Sequence, residues 1–178
     1  MSKGRIQAIR ETEQAFWTIV FSARKQIGER GRLLPKRFET IGKIRRFLKR
    51  SMSGCLADRL IANLDLRRIK GRLAVPIGDG IGPAPLVKTQ VLDQTASRAT
   101  IAVWFAFDRD DRFFRVYQLQ KSAAKGWIVV GRHPLDYPFG PPRRINRADC
   151  CARLATYRAR RIRAAIFGGK KRSGKEVG

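Results

Sequence analysis

Basic side chains recur at helical spacing in two separate parts of the sequence, and their chemistry suits phosphate. Arg45 and Lys49, like Arg46 and Arg50, are four residues apart, so a helix would carry all four on one face. Guanidinium groups bind phosphate oxygens through paired hydrogen bonds, whereas lysine acts as a point charge. The second set comprises Arg143, Arg144, Arg147, Arg153, Arg158, Arg160, Arg161, Arg163, Lys170, Lys171 and Arg172. We predict that both sets contact the phosphates of DNA or RNA.

The overall charge of the chain is strongly positive and unevenly distributed. The 178 residues include 39 Lys and Arg against 14 Asp and Glu, a formal net charge of +25. Most of it falls in residues 32–72, with 13 basic and 3 acidic residues, and in residues 143–178, with 12 and 2. Such density is costly in a compact fold, and a polyanion would relieve the repulsion. Nucleic acid is the partner we favour; an anionic membrane is an alternative, and an Arg-rich composition inherited from a GC-rich genome would require no partner.

Two groups of residues could serve nucleophilic or acid–base chemistry. His133 is the only histidine and stands near Asp136, so a Ser-His-Asp or Cys-His arrangement would have to use it. We favour a loop histidine. Cys150 and Cys151 have basic neighbours that could lower the pKa of a thiol. We interpret them instead as small side chains of a helix, one of which faces inward.

Two further motifs could bind metal or phosphate. Asp108, Asp110 and Asp111 form the one acidic cluster, and paired carboxylates can bind magnesium. We expect the two arginines within this turn to neutralise them. The glycine-rich run 78–82 lacks the spacing of a dinucleotide fingerprint and leads through Pro83 into a strand, so we interpret it as a turn. We therefore predict no catalytic residue, no metal site and no cofactor.

The elements that must position these residues follow from hydrophobic periodicity. Apolar residues at three- and four-residue steps predict helices over 5–29, 36–50 and 53–70, with Glu13 the one polar break in the first and Ser53 the cap of the third. The period then changes to two, which is typical of strands. Strands are predicted at 73–77, 86–92, 99–107, 113–121 and 127–131. The later ones form an antiparallel meander of three or four strands, whose apolar face the helices cover.

The C-terminal region has a different character. Prolines between residues 132 and 147 exclude a helix there, and Asn146 could cap a final helix that ends near Phe167. We predict that the tail from Lys170 is disordered. The predicted fold is α+β: N-terminal helices packed on an antiparallel curved sheet form one domain over 5–142, and a basic C-terminal helix and tail occupy 143–178.

The strand region resembles a known superfamily. The relevant segments are 98–107 (RATIAVWFAF), 113–121 (FFRVYQLQK) and 125–131 (KGWIVVG). Together they resemble the last strands of a nuclear-transport-factor-2-like (cystatin-like) domain, over about residues 11–131 and specifically over 98–131. The resemblance implies that Trp127 plugs the cone of a curved sheet. Because the superfamily includes isomerases, hydrolases, immunity proteins, secretion components and noncatalytic binders, it does not fix the function.

These patterns favour a soluble, cytoplasmic and reduced protein. No apolar run approaches the roughly 20 residues of a membrane span, no apolar segment of a secretory signal follows the N-terminus, and three cysteines make no disulfide framework. The function we predict is noncatalytic nucleic-acid binding with little sequence specificity. Phe113, Phe114 and Tyr117 could add a stacking platform, although core packing would claim at least one of them. The alternatives are a protein-interaction module that docks on an acidic partner and a small enzyme with a pocket in the curved sheet, acting through His133 or an aspartate.

Overall fold

A computed structural model describes residues 3–27, 31–76 and 82–134 of the chain. The described helices are α1 (Lys3–Ser22), a 3-10 helix (Lys36–Phe38), α2 (Ile41–Leu48) and α3 (Gly54–Asn63). The strands are β1 (Lys25–Gln26), β2 (Gly31–Leu33), β3 (Arg67–Ile69), β4 (Arg72–Pro76), β5 (Leu86–Gln94), β6 (Arg98–Ala106), β7 (Arg112–Ser122) and β8 (Gly126–His133). The fold is α+β, as predicted, with the helices preceding the main sheet.

The main sheet is the predicted antiparallel meander. Its four strands lie in the order β5-β6-β7-β8, and each is paired antiparallel with its sequence neighbour. Val87 and Leu92 in β5 and Val130 in β8 are extra residues that interrupt the register. Such bulges bend and twist a strand.

The sequence did not predict the second, smaller sheet, whose strand order is β1-β2-β4-β3. The helix predicted over 5–29 ends at Ser22, and residues from both sides of positions 28–30 pair as β1 and β2 instead. At Gly31 a Cβ would lie 2.8 Å from the Ile69 Cδ1 atom, so a larger residue there would require the end of the Ile69 side chain to move. The predicted strand at 73–77 is β4, and it pairs with β2 and β3.

The predicted helix over 36–50 is divided in two. The 3-10 helix covers only Lys36–Phe38, and α2 begins at Ile41. Thr40 divides them because its extended backbone leaves the helix and its hydroxyl accepts a hydrogen bond from the Lys43 amide at 3.2 Å. This is the geometry of an N-cap residue.

The third predicted helix begins where expected but ends early. Ser53 caps α3, as predicted, and its hydroxyl accepts from the Leu56 amide at 3.2 Å. The helix ends at Asn63 rather than near Lys70. Asp65 then adopts a φ of 45°, a left-handed conformation that stops a helix, and β3 follows.

The helices cover one face of the main sheet, as predicted. Ile9 and Phe16 of α1 and Leu60 of α3 belong to one hydrophobic core with Ile101 and Leu119 of the sheet. The period of two predicts that alternate residues of β6 face away from the core, but Thr100 and Ala102 are buried like their neighbour Ile101. Phe107 lies beyond the end of β6 and is exposed.

Several predictions concern residues that the structure does not describe. The predicted C-terminal helix at 147–167, its tail and the proline-rich segment after Pro134 lie outside them. No helix in the described ranges is long and apolar enough to cross a membrane. Cys55, near the start of α3, is disulfide-bonded. The expectation of a reduced protein is therefore wrong for Cys55, whereas a single bond leaves the expectation of no disulfide framework untested.

The Ser53 cap gives a direct test of the fold. Replacing it in Ser53→Ala removes the acceptor for the Leu56 amide at the start of α3, so the free energy of unfolding should fall by about 1 kcal/mol. Urea titration followed by circular dichroism measures the change. The matched control is Ser97→Ala, at an exposed turn between β5 and β6, which should leave the stability near that of the wild type. Equal stability of both variants would contradict the cap.

Candidate functional site

The four cations predicted to share a face of the second helix are all exposed, and one of them has a carboxylate partner. Ile44 and Leu48 are buried and anchor the helix, which leaves Arg46, Lys49 and Arg50 exposed on the outside. Arg45 turns instead to α3, where its Nε and Nη2 atoms donate to the two carboxylate oxygens of Asp58 at 2.6 and 3.0 Å. This bidentate pair neutralises the charge of Arg45. Arg45 is exposed like the other three predicted cations, but its charge is matched by Asp58.

A residue remote in sequence joins this surface. The Lys125 ammonium group, in the turn between β7 and β8, donates to the Lys49 carbonyl oxygen at 2.8 Å. We call Arg46, Lys49, Arg50 and Lys125 the α2 basic surface. Cations are favoured at this end of a helix because its last carbonyl groups carry partial negative charge. Sequence spacing gave no sign of Lys125, because 76 residues separate it from Lys49.

The α2 basic surface carries uncompensated charge. Within the described part of the chain, none of its four members forms an ion pair with a carboxylate, whereas Lys43 pairs with Glu39 one turn away. Arg50 also lies over the ring of Phe47, with its guanidinium carbon 5.8 Å from the ring centre. The second predicted set of cations, Arg143 to Arg172, lies outside the described residues.

A buried ionic cluster lies between α1 and the main sheet. Glu13, the one polar break in the first predicted helix, has three partners on the strands. Its Oε1 atom accepts from the Tyr117 hydroxyl at 2.7 Å and from Arg132 Nε at 2.9 Å. Its Oε2 atom accepts from Arg115 Nη1 at 3.4 Å. We call these four residues, each under one-tenth exposed, the Glu13 cluster.

The electrostatics of the Glu13 cluster keep the carboxylate ionised. Burial alone would raise the pKa of Glu13, but the charges of Arg132 and Arg115 and the hydrogen bond from Tyr117 outweigh it and hold the pKa below its ordinary value of 4.5. Burial raises the pKa of Tyr117, so its hydroxyl stays protonated and donates. Both guanidinium groups thus form ion pairs with the ionised carboxylate of Glu13.

A cleft of about 610 Å³ lies beside the Glu13 cluster. One wall is α1 and its C-terminal extension, and the other contains the residues around the start of β5 and the end of β6. Its lining includes Glu13, three arginines (Arg10, Arg24 and Arg37) and the rings of Trp17, Phe21 and Phe105. An opening that combines cations with aromatic rings could hold a small anion with an apolar part.

The other candidate residues are placed elsewhere. His133 is exposed at the end of β8, and its neighbour Asp136 lies outside the described residues. The Asp108 carboxylate accepts from the backbone amides of Asp110 and Asp111, both at 2.8 Å, and these bonds lower its pKa. Backbone amides, rather than the predicted arginines, are thus the described partners of Asp108. Across the three described ranges, no group of three His, Cys, Asp or Glu side chains is placed to hold a metal ion.

The three aromatic residues of β7 that could add a stacking platform for bases do not lie together on one exposed face. Tyr117 is fully buried, and Phe113 stacks on Phe105 with ring centres 5.4 Å apart. Phe114 pairs across the sheet with Trp104, and neighbouring residues of a strand point to opposite faces. Trp127 is half-buried against the core, with the Arg5 guanidinium 4.5 Å from its ring centre.

No protein-family model matches this chain, and no curated protein matches it. The charges and contacts of the described residues are therefore what indicates a function. They offer three features: the α2 basic surface, the cleft, and the Glu13 cluster that supports the wall of the cleft.

Removing the charge of Glu13 should strongly destabilise the protein. In Glu13→Gln both buried guanidinium groups lose an ion-pair partner, and breaking a buried ion pair costs about 3–5 kcal/mol. Urea unfolding at neutral pH measures the loss. The matched control is Glu11→Gln on the exposed side of the same helix, which should change the stability by less than about 0.5 kcal/mol. A similar, small loss in both variants would contradict the role of the cluster.

Acid should remove the contribution of Glu13 in a predictable direction. Because its pKa is lower in the folded chain than in the unfolded chain, its stabilising effect is complete above the ordinary value of 4.5 and is lost as the pH falls through the lowered pKa. The difference in unfolding free energy between wild type and Glu13→Gln should stay constant from about pH 7 to pH 5.5 and shrink below about pH 4. Unfolding titrations across this range measure it, and a difference that grows in acid would refute the direction of the pKa.

Proposed function

We propose that the protein is a noncatalytic nucleic-acid-binding protein that contacts phosphates with little sequence specificity. The observation that carries the proposal is the α2 basic surface, on which four exposed cations have no carboxylate partner among the described residues. Arg46, Lys49 and Arg50 lie within five consecutive residues at the C-terminal end of α2. Lys125 contacts Lys49, so the four cations are close enough to meet neighbouring phosphates of one nucleic acid.

The composition of this surface suits phosphate contact rather than base reading. Arginine and lysine are the side chains that most often contact the backbone of nucleic acid, and such contacts carry no direct sequence information. The four residues include no amide or acidic side chain, so guanine is the one base that they could recognise directly. We therefore expect weak discrimination between sequences and steep dependence on salt.

We also retain the nuclear-transport-factor-2-like assignment as a proposal about the fold. Helices that precede an antiparallel meander support it, but this fold hosts many functions and does not select one. A cytoplasmic location would suit the proposed function. Against it stands the disulfide bond of Cys55, since disulfides are rare in the cytosol.

The proposal predicts a specific loss in a triple variant. Arg46→Ala, Lys49→Ala and Arg50→Ala together should weaken the binding of labelled duplex DNA and of a labelled single strand alike. Because each phosphate contact contributes about 0.9 to the slope of log K against log salt on B-DNA, the duplex slope should fall by about two to three units. Fluorescence anisotropy at several salt concentrations measures both quantities.

A matched triple variant separates the surface from total charge. Lys25→Ala, Arg32→Ala and Arg68→Ala remove three exposed cations from the small sheet and should change the slope by much less than the α2 variant. Equal losses in the two variants would show that net charge alone drives binding. If neither wild type nor variants bind nucleic acid near physiological salt, the α2 basic surface is instead a docking site for an acidic protein.

A further inference from the structure

Two stacked aromatic rings line the cleft, and one of them is exposed to solvent. Trp17 and Phe21, one turn apart on α1, stack with ring centres 5.3 Å apart and planes 20° from parallel. Trp17 is buried, whereas Phe21 is 49% exposed. A large apolar ring that is half-exposed on a rigid helix, and supported from below by another ring, offers a flat face on which a planar ligand can stack.

The charges around this pair favour an anion. Arg10, Arg24 and Arg37 line the cleft, and none of them forms an ion pair with any carboxylate of the described residues. The one acidic side chain in the lining, Glu13, is already held by Arg115 and Arg132. The three arginines therefore give the described lining of the cleft an excess of positive charge, which attracts an anion.

These two features specify the chemical class of the ligand. A ring to stack on Phe21 and an anion for the arginines describe a nucleotide, and the cleft volume of about 610 Å³ lies within the usual range of roughly 300–1,000 Å³ for small-ligand sites. We propose that the cleft binds one unpaired nucleotide of a single-stranded nucleic acid, with its base on Phe21 and its phosphate at Arg24 and Arg37. This inference deepens the proposed function and rests on it.

The positions along α1 extend the site to a neighbouring nucleotide. Arg24 follows Phe21 by three residues, so a phosphate attached to the stacked nucleotide is within its reach. Arg10 precedes Phe21 by eleven residues, about 16 Å along the helix at 1.5 Å per residue, so it would contact a different phosphate of the strand. A paired base cannot enter, because its faces are covered by its neighbours in the duplex. The cleft thus gives the protein a preference for single strands, which the α2 basic surface alone does not give.

The first experiment separates the two surfaces by their response to strand state. Phe21→Ala removes the ring without changing any charge. It should weaken binding of a labelled single-stranded DNA 12-mer by at least about fivefold, the lower limit for loss of one base–aromatic stack, and should leave duplex binding and the salt slope unchanged. Phe21→Tyr, which keeps the ring, should restore the wild-type affinity. Val87→Ala, at another exposed apolar residue outside the cleft, is the control that should have no effect.

The second experiment tests the cleft without any oligonucleotide. Adenosine 5′-monophosphate added to ¹⁵N-labelled protein should cause saturable shifts of amide signals from α1 and from residues 82–86, and Phe21→Ala should abolish them. Ribose 5-phosphate, which carries the phosphate but no base, should bind much more weakly. Equal shifts with both probes, or shifts that persist unchanged in Phe21→Ala, would overturn stacking at Phe21.

The two experiments fail in different ways. If duplex and single strand bind wild type and Phe21→Ala equally, and the mononucleotide causes no saturable shift, the cleft inference is wrong while the α2 basic surface stands. If no oligonucleotide binds but the mononucleotide does, the proposed function is wrong, and the cleft is a site for free nucleotides. An oligonucleotide loss in Val87→Ala equal to that in Phe21→Ala would also overturn the inference, since it would assign the effect to something other than the ring.

Discussion

A single buried carboxylate between two guanidinium groups fixes α1 on the main sheet. Glu13 reaches Arg115 and Tyr117 on β7 and Arg132 on β8, so one side chain of the helix binds two adjacent strands. Breaking a buried ion pair is very costly, and a shift of α1 by one turn would separate Glu13 from all three strand residues. The position of the helix, and with it the wall of the cleft, therefore depends on this cluster.

Several other cations form ion pairs with carboxylates at the surface. Arg45 is matched by Asp58, Lys43 by Glu39 and Arg67 by Asp65, all at the surface. Such exposed pairs add little stability, but they remove cations from the field that a ligand meets. What remains uncompensated among the described residues includes two places of different chemistry. The α2 basic surface offers charge alone, whereas the cleft offers charge beside an aromatic face.

The sequence predicted the elements whose signals are local. Alternation predicted an antiparallel meander of three or four strands, and Ser53 predicted the start of α3 because a cap involves only the first turn of a helix. The small sheet escaped prediction because its two- and three-residue strands are too short to show a period, and pairing with β4 determines them. The predicted ends of two helices were wrong for the same reason, since strand pairing competes with the helix after Ser22 and again after Asp65.

The candidate sites also combine features that the sequence could predict with contacts that it could not. A basic stripe on α2 could be predicted, but the contact of Arg45 with Asp58 could not, because it depends on how α2 packs on α3. Glu13 was visible as a polar residue in an apolar stripe, while its partners lie more than 100 residues away.

The central claim, that this protein binds nucleic acid, is tested most directly by anisotropy of labelled single- and double-stranded DNA and RNA with the full chain at three salt concentrations. Micromolar or tighter binding near 0.15 M salt with a steep slope, and tighter for single strands, is the predicted result; no binding of any probe at that ionic strength would contradict it.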